Sequence, residues 1–211
     1  IYKTTDNFVN LTKLAEPDDA DTGISATDFT RGQSFYDLEV EVDPNDDSIV
    51  YVGGIDWFRS SDGGNNWSQL TKWSNNNNLF GLTVSEVHAD QHGLFFKPGD
   101  SNKAIVVNDG GVAFCSDLAN ASTNPRFVEA ESNYITTQFY TVAQSPPSFS
   151  KDWVLGGTQD NGTYRMETPG ATPSAGVDTD PGGDGAATFF DQVGGDYAIS
   201  NYTYNDAITR L

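Results

Sequence analysis

VDPNDDSIVYVGGIDWFRSSDGGNNW, residues 42–67, decides how this chain is read. Two short runs rich in β-branched and aromatic residues, SIVYVG (48–53) and DWFRS (56–60), are set off by DPNDD (43–47) and DGGNN (62–66). Val, Ile, Tyr, Phe and Trp suit a pleated, half-buried strand, whereas Asn, Asp, Gly and Pro supply the backbone angles of tight turns. The stretch therefore predicts strands joined by hairpins. Outward from it, DLEVEV (37–42), GLFFKP (93–98) and QFYTVA (138–143) have the same character, and helical periodicity is almost absent.

The pattern also repeats. Residues 42–62 align with FKPGDSNKAIVVNDGGVAFCSD (96–117), and further copies follow at 143–166 and 190–211. Each copy reads strand, turn, strand, turn, strand. The period is roughly 45 to 55 residues, the length of a four-stranded propeller blade. The expectation is an all-β chain, a β-propeller of four-stranded antiparallel blades with only about four blades present. The opening segment 1–15 supplies only a blade end; blades are expected at 33–75, 88–130 and 136–168, with a partial blade at 182–211, all in one partial domain. Most propellers close with more blades, so the rest of a larger propeller or assembly is expected to lie outside this chain.

Composition narrows the function. Of 211 residues, 30 are acidic and 11 basic, a net charge of -19. Such a surface repels phosphate backbones, which argues against nucleic acid as a partner and for a solvated acidic exterior. A single cysteine, Cys115, excludes an internal disulfide. No apolar run approaches the ~20 residues of a membrane-spanning helix. Sequons at Asn10, Asn66, Asn120, Asn161 and Asn201 are read as chance in an Asn- and Thr-rich chain.

Ser60, Asp62, Gly64 and Trp67 fit the spacing S-x-D-x-G-x-x-W. This resembles the Asp-box, or bacterial neuraminidase repeat, a hairpin between the third and fourth strands of a blade. The resemblance implies a structural role: the Asp ties up turn N–H groups, the Gly accepts positive φ and the Trp packs between blades. Thr4, Asp6 and Leu11 fill three of the four positions in a first degenerate copy. In a later copy Asp117 survives, with Cys115 where the Ser would stand.

If those hairpins lie at one end of the blades, the turns between second and third strands lie at the other. These turns are Gly53–Asp56, Asn108–Gly111 and Thr158–Gly162. The segments leading into first strands, Gln33–Asp37, His88–His92, Thr136–Tyr140 and Gly182–Gly185, belong to the same end. Asp56, Asp90, Asp109, Asp160 and Asp184 are expected to point there. The predicted ligand-binding set is His88, Asp90, His92, Asp109, Gln159, Asp160, Asn161 and Asp184. An extended backbone would place His88, Asp90 and His92 on one face, a candidate transition-metal set. The Asp-rich turns are alternatively suited to Ca²⁺. Structural hydrogen bonding of the loops is the competing expectation.

HADQHGLFFKPGDSNKAIVVNDGG (88–111), VLGGTQDNGT (154–163) and GGDG (182–185) resemble secreted Asp-box propellers of Bacteroidota, the sortilin-like and xyloglucanase-like repeat proteins. That resemblance implies export to the medium or the cell surface and type IX secretion. The arginines present do not form the cluster a sialidase needs for its substrate carboxylate. Xyloglucan-cleaving enzymes use paired Asp residues; Asp56, Asp109, Asp160 and Asp184 are the candidate acids, the last three foremost, though no motif selects a pair. The leading expectation is a non-catalytic module that binds a polysaccharide or surface protein, for adhesion or substrate capture. The alternatives are a glycoside hydrolase, and a subunit or client of a larger surface or secretion assembly.

Overall fold

The computed structural model describes residues 1–25, 27–74, 78–130, 137–167, 183–203 and 207–211. It divides into two compact units, Ile1–Asn133 and Tyr134–Leu211. The expected lead-in residues Thr136 and Gly182, and the expected bounds at 136, 168 and 182, lie outside the described residues.

In the first unit, β1 (Tyr2–Lys3) and β2 (Thr12–Lys13) form a hairpin. A four-stranded antiparallel meander follows: β3 (Glu39–Val42), β4 (Val50–Gly53), β5 (Trp57–Ser60) and β6 (Ser68–Gln69). The short strands β7 (Thr71–Lys72) and β8 (Ser85–Glu86) pair in parallel. A second meander comprises β9 (Gln91–Lys97), β10 (Asp100–Asn108), β11 (Gly111–Cys115) and β12 (Phe127–Glu129). Both meanders run in sequence order, first strand beside second, second beside third.

Alternation along the second meander explains its packing. Leu94, Ala104, Val106, Ala113 and Cys115 point to one side and join Tyr51, Trp57 and Leu70 of the neighbouring meander in a single core. The period of two then places Phe95, Ile105, Phe114 and Val128 on the opposite side, as cross-strand partners in one exposed row. The other side of the first meander buries Val52 and Phe58 with Phe29. Cys115 sits on the core side of β11, where burial pushes its thiol up to about 11.

The second unit holds β13 (Phe139–Gln144), β14 (Val154–Thr158) and β15 (Thr163–Met166), then β16 (Gly185–Phe190), β17 (Ala198–Tyr202) and β18 (Thr209–Arg210). Each trio is again an antiparallel meander. The backbone of β16 comes close to β14: a Cβ on Gly157 would lie 1.9 Å from the Ala186 carbonyl oxygen. Thr141 Oγ1 donates to that same carbonyl at 2.6 Å, and Trp153, Leu155, Phe190 and Ala198 fill the small core. The chain is thus all-β, and its described residues form blade-type antiparallel meanders, four-stranded in the first unit and three-stranded in the second. Among the described residues no helix is long and apolar enough to cross a membrane.

The Ser60–Trp67 turn joins β5 to β6, third strand to fourth. Ser60 Oγ donates to Asp62 Oδ1 at 2.8 Å and accepts from the Gly64 amide at 2.8 Å. Asp62 accepts from the Asn65 and Asn66 amides and from Asn66 Nδ2, and these bonds, that side-chain amide foremost, hold its carboxyl down at about 2. Thr4, Asp6 and Asn10 repeat the arrangement between β1 and β2. There Asn7 and Phe8 take the positive φ that Gly63 and Gly64 take in the other turn. Trp67 donates its indole N–H to Ala15 O at 3.0 Å. Asp117 departs from this geometry. It accepts from Asn102 and Asn120 side chains, and a 3₁₀ turn, Leu118–Asn120, replaces the tight hairpin.

Candidate functional site

At the end of the first unit opposite the Ser60–Trp67 turn, several segments converge. Gln91, the first residue of β9, donates its backbone N–H to Gly54 O at 2.9 Å and its side-chain amide to Ile55 O at 3.1 Å. This ties the β4–β5 turn to the start of the second meander. The β10–β11 turn is closed by Asn108 Oδ1, which accepts from the Gly110 and Gly111 amides at 3.0 Å each. Asp109 therefore projects from the tip. There it meets His92, whose Nε2 lies 2.5 Å from Asp109 Oδ1, and Tyr36, whose hydroxyl donates to both carboxylate oxygens at 2.9 and 3.0 Å. The Tyr36 ring stands edge-on to the His92 imidazole, centroids 5.0 Å apart.

Asp37 is the unusual member of this group. It is 0% exposed, and neither carboxylate oxygen is hydrogen-bonded by another residue. Burial, reinforced by the nearby charge of Asp90 and then Asp109, pushes its carboxyl up to about 6; its own amide and His92 oppose the rise. Sequence reading passed over Asp37 because it looked like the lead-in to DLEVEV. The available signal was an acidic residue in the lead-in just before a meander's first strand, with nothing basic beside it in sequence.

The raised value has a thermodynamic sign. Between about pH 4 and 6 the folded chain holds a proton that the unfolded chain has lost, so this group's contribution to stability falls as pH rises through that window. Asp37→Asn is expected to stabilise the first unit by about 1 kcal/mol at pH 7.5, after discounting for solvent screening, and to lose that advantage at pH 4. Denaturant unfolding at the two pH values measures it; an equal difference at both would contradict the assignment.

The predicted set is distributed as follows. Asp90 accepts from Gln33 Nε2 at 3.3 Å, and its φ of 64° bends the chain just before β9. The extended backbone that would align His88, Asp90 and His92 is therefore absent. His88 instead lies against the bare backbone of Gly110, with its Nδ1 3.1 Å from Ala89 O. Among the described residues no three His, Cys, Asp or Glu side chains stand close enough together to hold a metal ion. Asp56 does not face solvent as expected: it is 0% exposed, accepts from Thr71 Oγ1 and Gln69 Nε2, and burial pushes its carboxyl well up.

In the second unit the Thr158–Gly162 turn places Asp160 and Asp184 together through a bond from the Asp160 amide to Asp184 Oδ1 at 3.0 Å. Asn161 donates to Gln159 O at 3.0 Å and bridges in parallel to Gly183. Of the four tryptophans, which could serve as sugar-stacking surfaces only where exposed, Trp57 and Trp153 are buried and Trp73 is the most open.

No known protein family and no curated protein matches the sequence. Among solved structures, a GH74 xyloglucanase from Xanthomonas campestris is 16% identical over 80% of this chain and 25% of its own, with a TM-score of 0.41. The Niastella koreensis GH74 enzyme is 16% identical over 81% of this chain and 34% of its own, TM-score 0.35. YCF48 from Cyanidioschyzon merolae is 13% identical over 83% and 56%, TM-score 0.29. The chain thus spans a quarter to a third of the length of the two GH74 enzymes.

Proposed function

We propose that this chain is part of a secreted or cell-surface binding module of the Asp-box type, which captures a polysaccharide or protein partner at the Asp37–Tyr36–His92–Asp109 end of its first unit. One observation carries the reading: hydrogen-bonding side chains from three separate segments gather there beside a buried carboxylate with no partner of its own. The Ser60–Trp67 turn, by contrast, spends its polar groups on itself. The exposed row of Phe95, Ile105, Phe114 and Val128 supports a larger assembly, since a further blade-type sheet is the natural cover for such a face. Export from a Bacteroidota-type cell is proposed on the sequence resemblance alone.

A second reading rests on Asp37 as well. A carboxyl that keeps its proton to about pH 6 beside another carboxylate suits acid–base cleavage of a glycosidic bond. The two readings separate in one experiment: binding to an array of glycans and surface proteins, alongside measurement of reducing-sugar release. Saturable binding without product, unchanged in release by Asp109→Asn, Asp160→Asn or Asp184→Asn, is the expected result. Product formation lost in Asp37→Asn or Asp109→Asn would replace the module by a hydrolase. Absence of both binding and release would remove the module reading altogether.

A further inference from the structure

We infer that the Asp37 site takes a cationic nitrogen, the ammonium of a lysine or the guanidinium of an arginine on a polypeptide partner. The inference rests on the binding-module reading and narrows its ligand class. The charges of Asp90 and Asp109 both act on Asp37, and among the described residues the basic side chain ion-paired at this place is His92, on Asp109. An acidic cluster alone is common on a chain of net charge -19. The independent observation is Asp37 itself: fully buried, both oxygens without a donor from another residue. A buried carboxylate left this way costs free energy, and the cost is recovered only by a proton or by a guest that brings hydrogen-bond donors and positive charge.

A bare metal ion is a poor fit, because no three ligating side chains converge among the described residues. An ammonium carries three donors and a guanidinium five, able to reach oxygens several ångströms apart. The surroundings favour a side chain with an apolar stem. Phe35 is 88% exposed and Tyr36 and Leu38 are exposed beside it, a surface on which methylenes can lie and over which a cation is attracted by the ring faces. Access is local. Residues 33–37 form a short turn held by Tyr36 N–H to Gln33 O at 2.7 Å and Asp37 N–H to Gln33 O at 3.2 Å, with Gln33 Nε2 on Asp90 at 3.3 Å. Opening that turn uncovers Asp37, and the guest's charge offsets the repulsion among the carboxylates that opening would otherwise leave unbalanced.

The test uses the whole chain and capped tripeptides Gly-Lys-Gly, Gly-Arg-Gly and Gly-norleucine-Gly, with glucosamine as the amino-sugar probe, by titration calorimetry or NMR at 150 mM NaCl. The lysine and arginine peptides are expected to bind, and the norleucine peptide is not. Affinity is expected to fall at least tenfold in Asp37→Asn and to fall between pH 7.5 and 5 as Asp37 takes a proton amid Asp90, His92 and Asp109; Asp47→Asn, in an exposed loop, should leave it unchanged. Asp90→Asn gives a second reading should Asp37→Asn fail to fold. Equal binding of the norleucine peptide, equal loss in Asp47→Asn, or undiminished binding in Asp37→Asn and Asp90→Asn would each overturn the inference. Binding of glucosamine without the peptides would do so too, yet leave the capture of a polysaccharide standing. Partners found on the array with none of these probes bound would sink the inference alone.

Discussion

Gly157→Ala should disrupt the second unit. The added methyl would sit 1.9 Å from the Ala186 carbonyl oxygen and 3.0 Å from the Gly185 carbonyl carbon, both backbone atoms that cannot rotate away. Restoring ordinary contact requires β16 to move off β14 by more than an ångström. That movement breaks the bond from Thr141 Oγ1 to Ala186 O at 2.6 Å and the bond from the Thr188 amide to Thr141 Oγ1 at 3.1 Å. Overpacking with loss of these bonds is expected to cost about 3 kcal/mol. Amide hydrogen exchange across β14 and β16 reads it directly, with protection falling by two orders of magnitude or more. Gly156→Ala is the informative comparison. Its methyl would meet the ring of Phe139, a side chain that is half exposed and can turn aside. Protection in Gly157→Ala equal to that in Gly156→Ala would mean that the two sheets do not approach as described.

Trp57→Ala should have the larger effect in the first unit. Trp57 is 0% exposed and lies in the core shared by the two meanders, against Tyr51, Leu70 and Leu94. Its ring also packs where Gly53 has no side chain: a Cβ there would come within 3.0 Å of Trp57 Cη2. Emptying this volume costs roughly 3–5 kcal/mol, a large part of the stability of a small domain. Thermal unfolding should shift down by more than 10 °C, or the unit should lose cooperative unfolding. Trp57→Phe retains most of the buried ring and loses no hydrogen bond, since the indole N–H has no partner, so it should cost less than half as much. A shift of only a few degrees in Trp57→Ala would place the core elsewhere.

Much of the architecture was legible from residues, and the reasons are local. DPNDD, DGGNN and NDGG announce turns through the backbone freedom of Gly and Asn, and the runs between them announce strands through β-branched and aromatic content. A period of two then determines which residues of a strand share a side; the register that sets Leu94 beside Val106 and Phe95 beside Ile105 comes from the structure. The alternation of meander ends also brings Tyr36, His92 and Asp109 together, residues separated by up to 73 positions. What escaped the sequence was conformation at single residues. Asp90 leaves the extended region, so the H-x-D-x-H spacing does not make one face. Asp56 sits in a turn but faces Gln69 and Thr71, whose positions depend on how β6 and β7 follow the hairpin. Asp37 lay within a named lead-in segment but was not singled out, because the lack of a partner is a property of the folded surroundings and not of a motif. Gly157 likewise gave no sign that its physical role is to let the backbones of β14 and β16 meet.

The place of Cys115 has a consequence for how the protein tolerates its surroundings. Its sulfur faces inward from β11, and the proton is held to about 11, so almost no thiolate exists at neutral pH and none is presented to reagents. Oxidants, alkylating agents and foreign disulfides can reach it only in molecules whose first unit has come apart. The folded chain is therefore indifferent to the redox poise outside, and chemical damage at this atom marks prior unfolding instead of causing it.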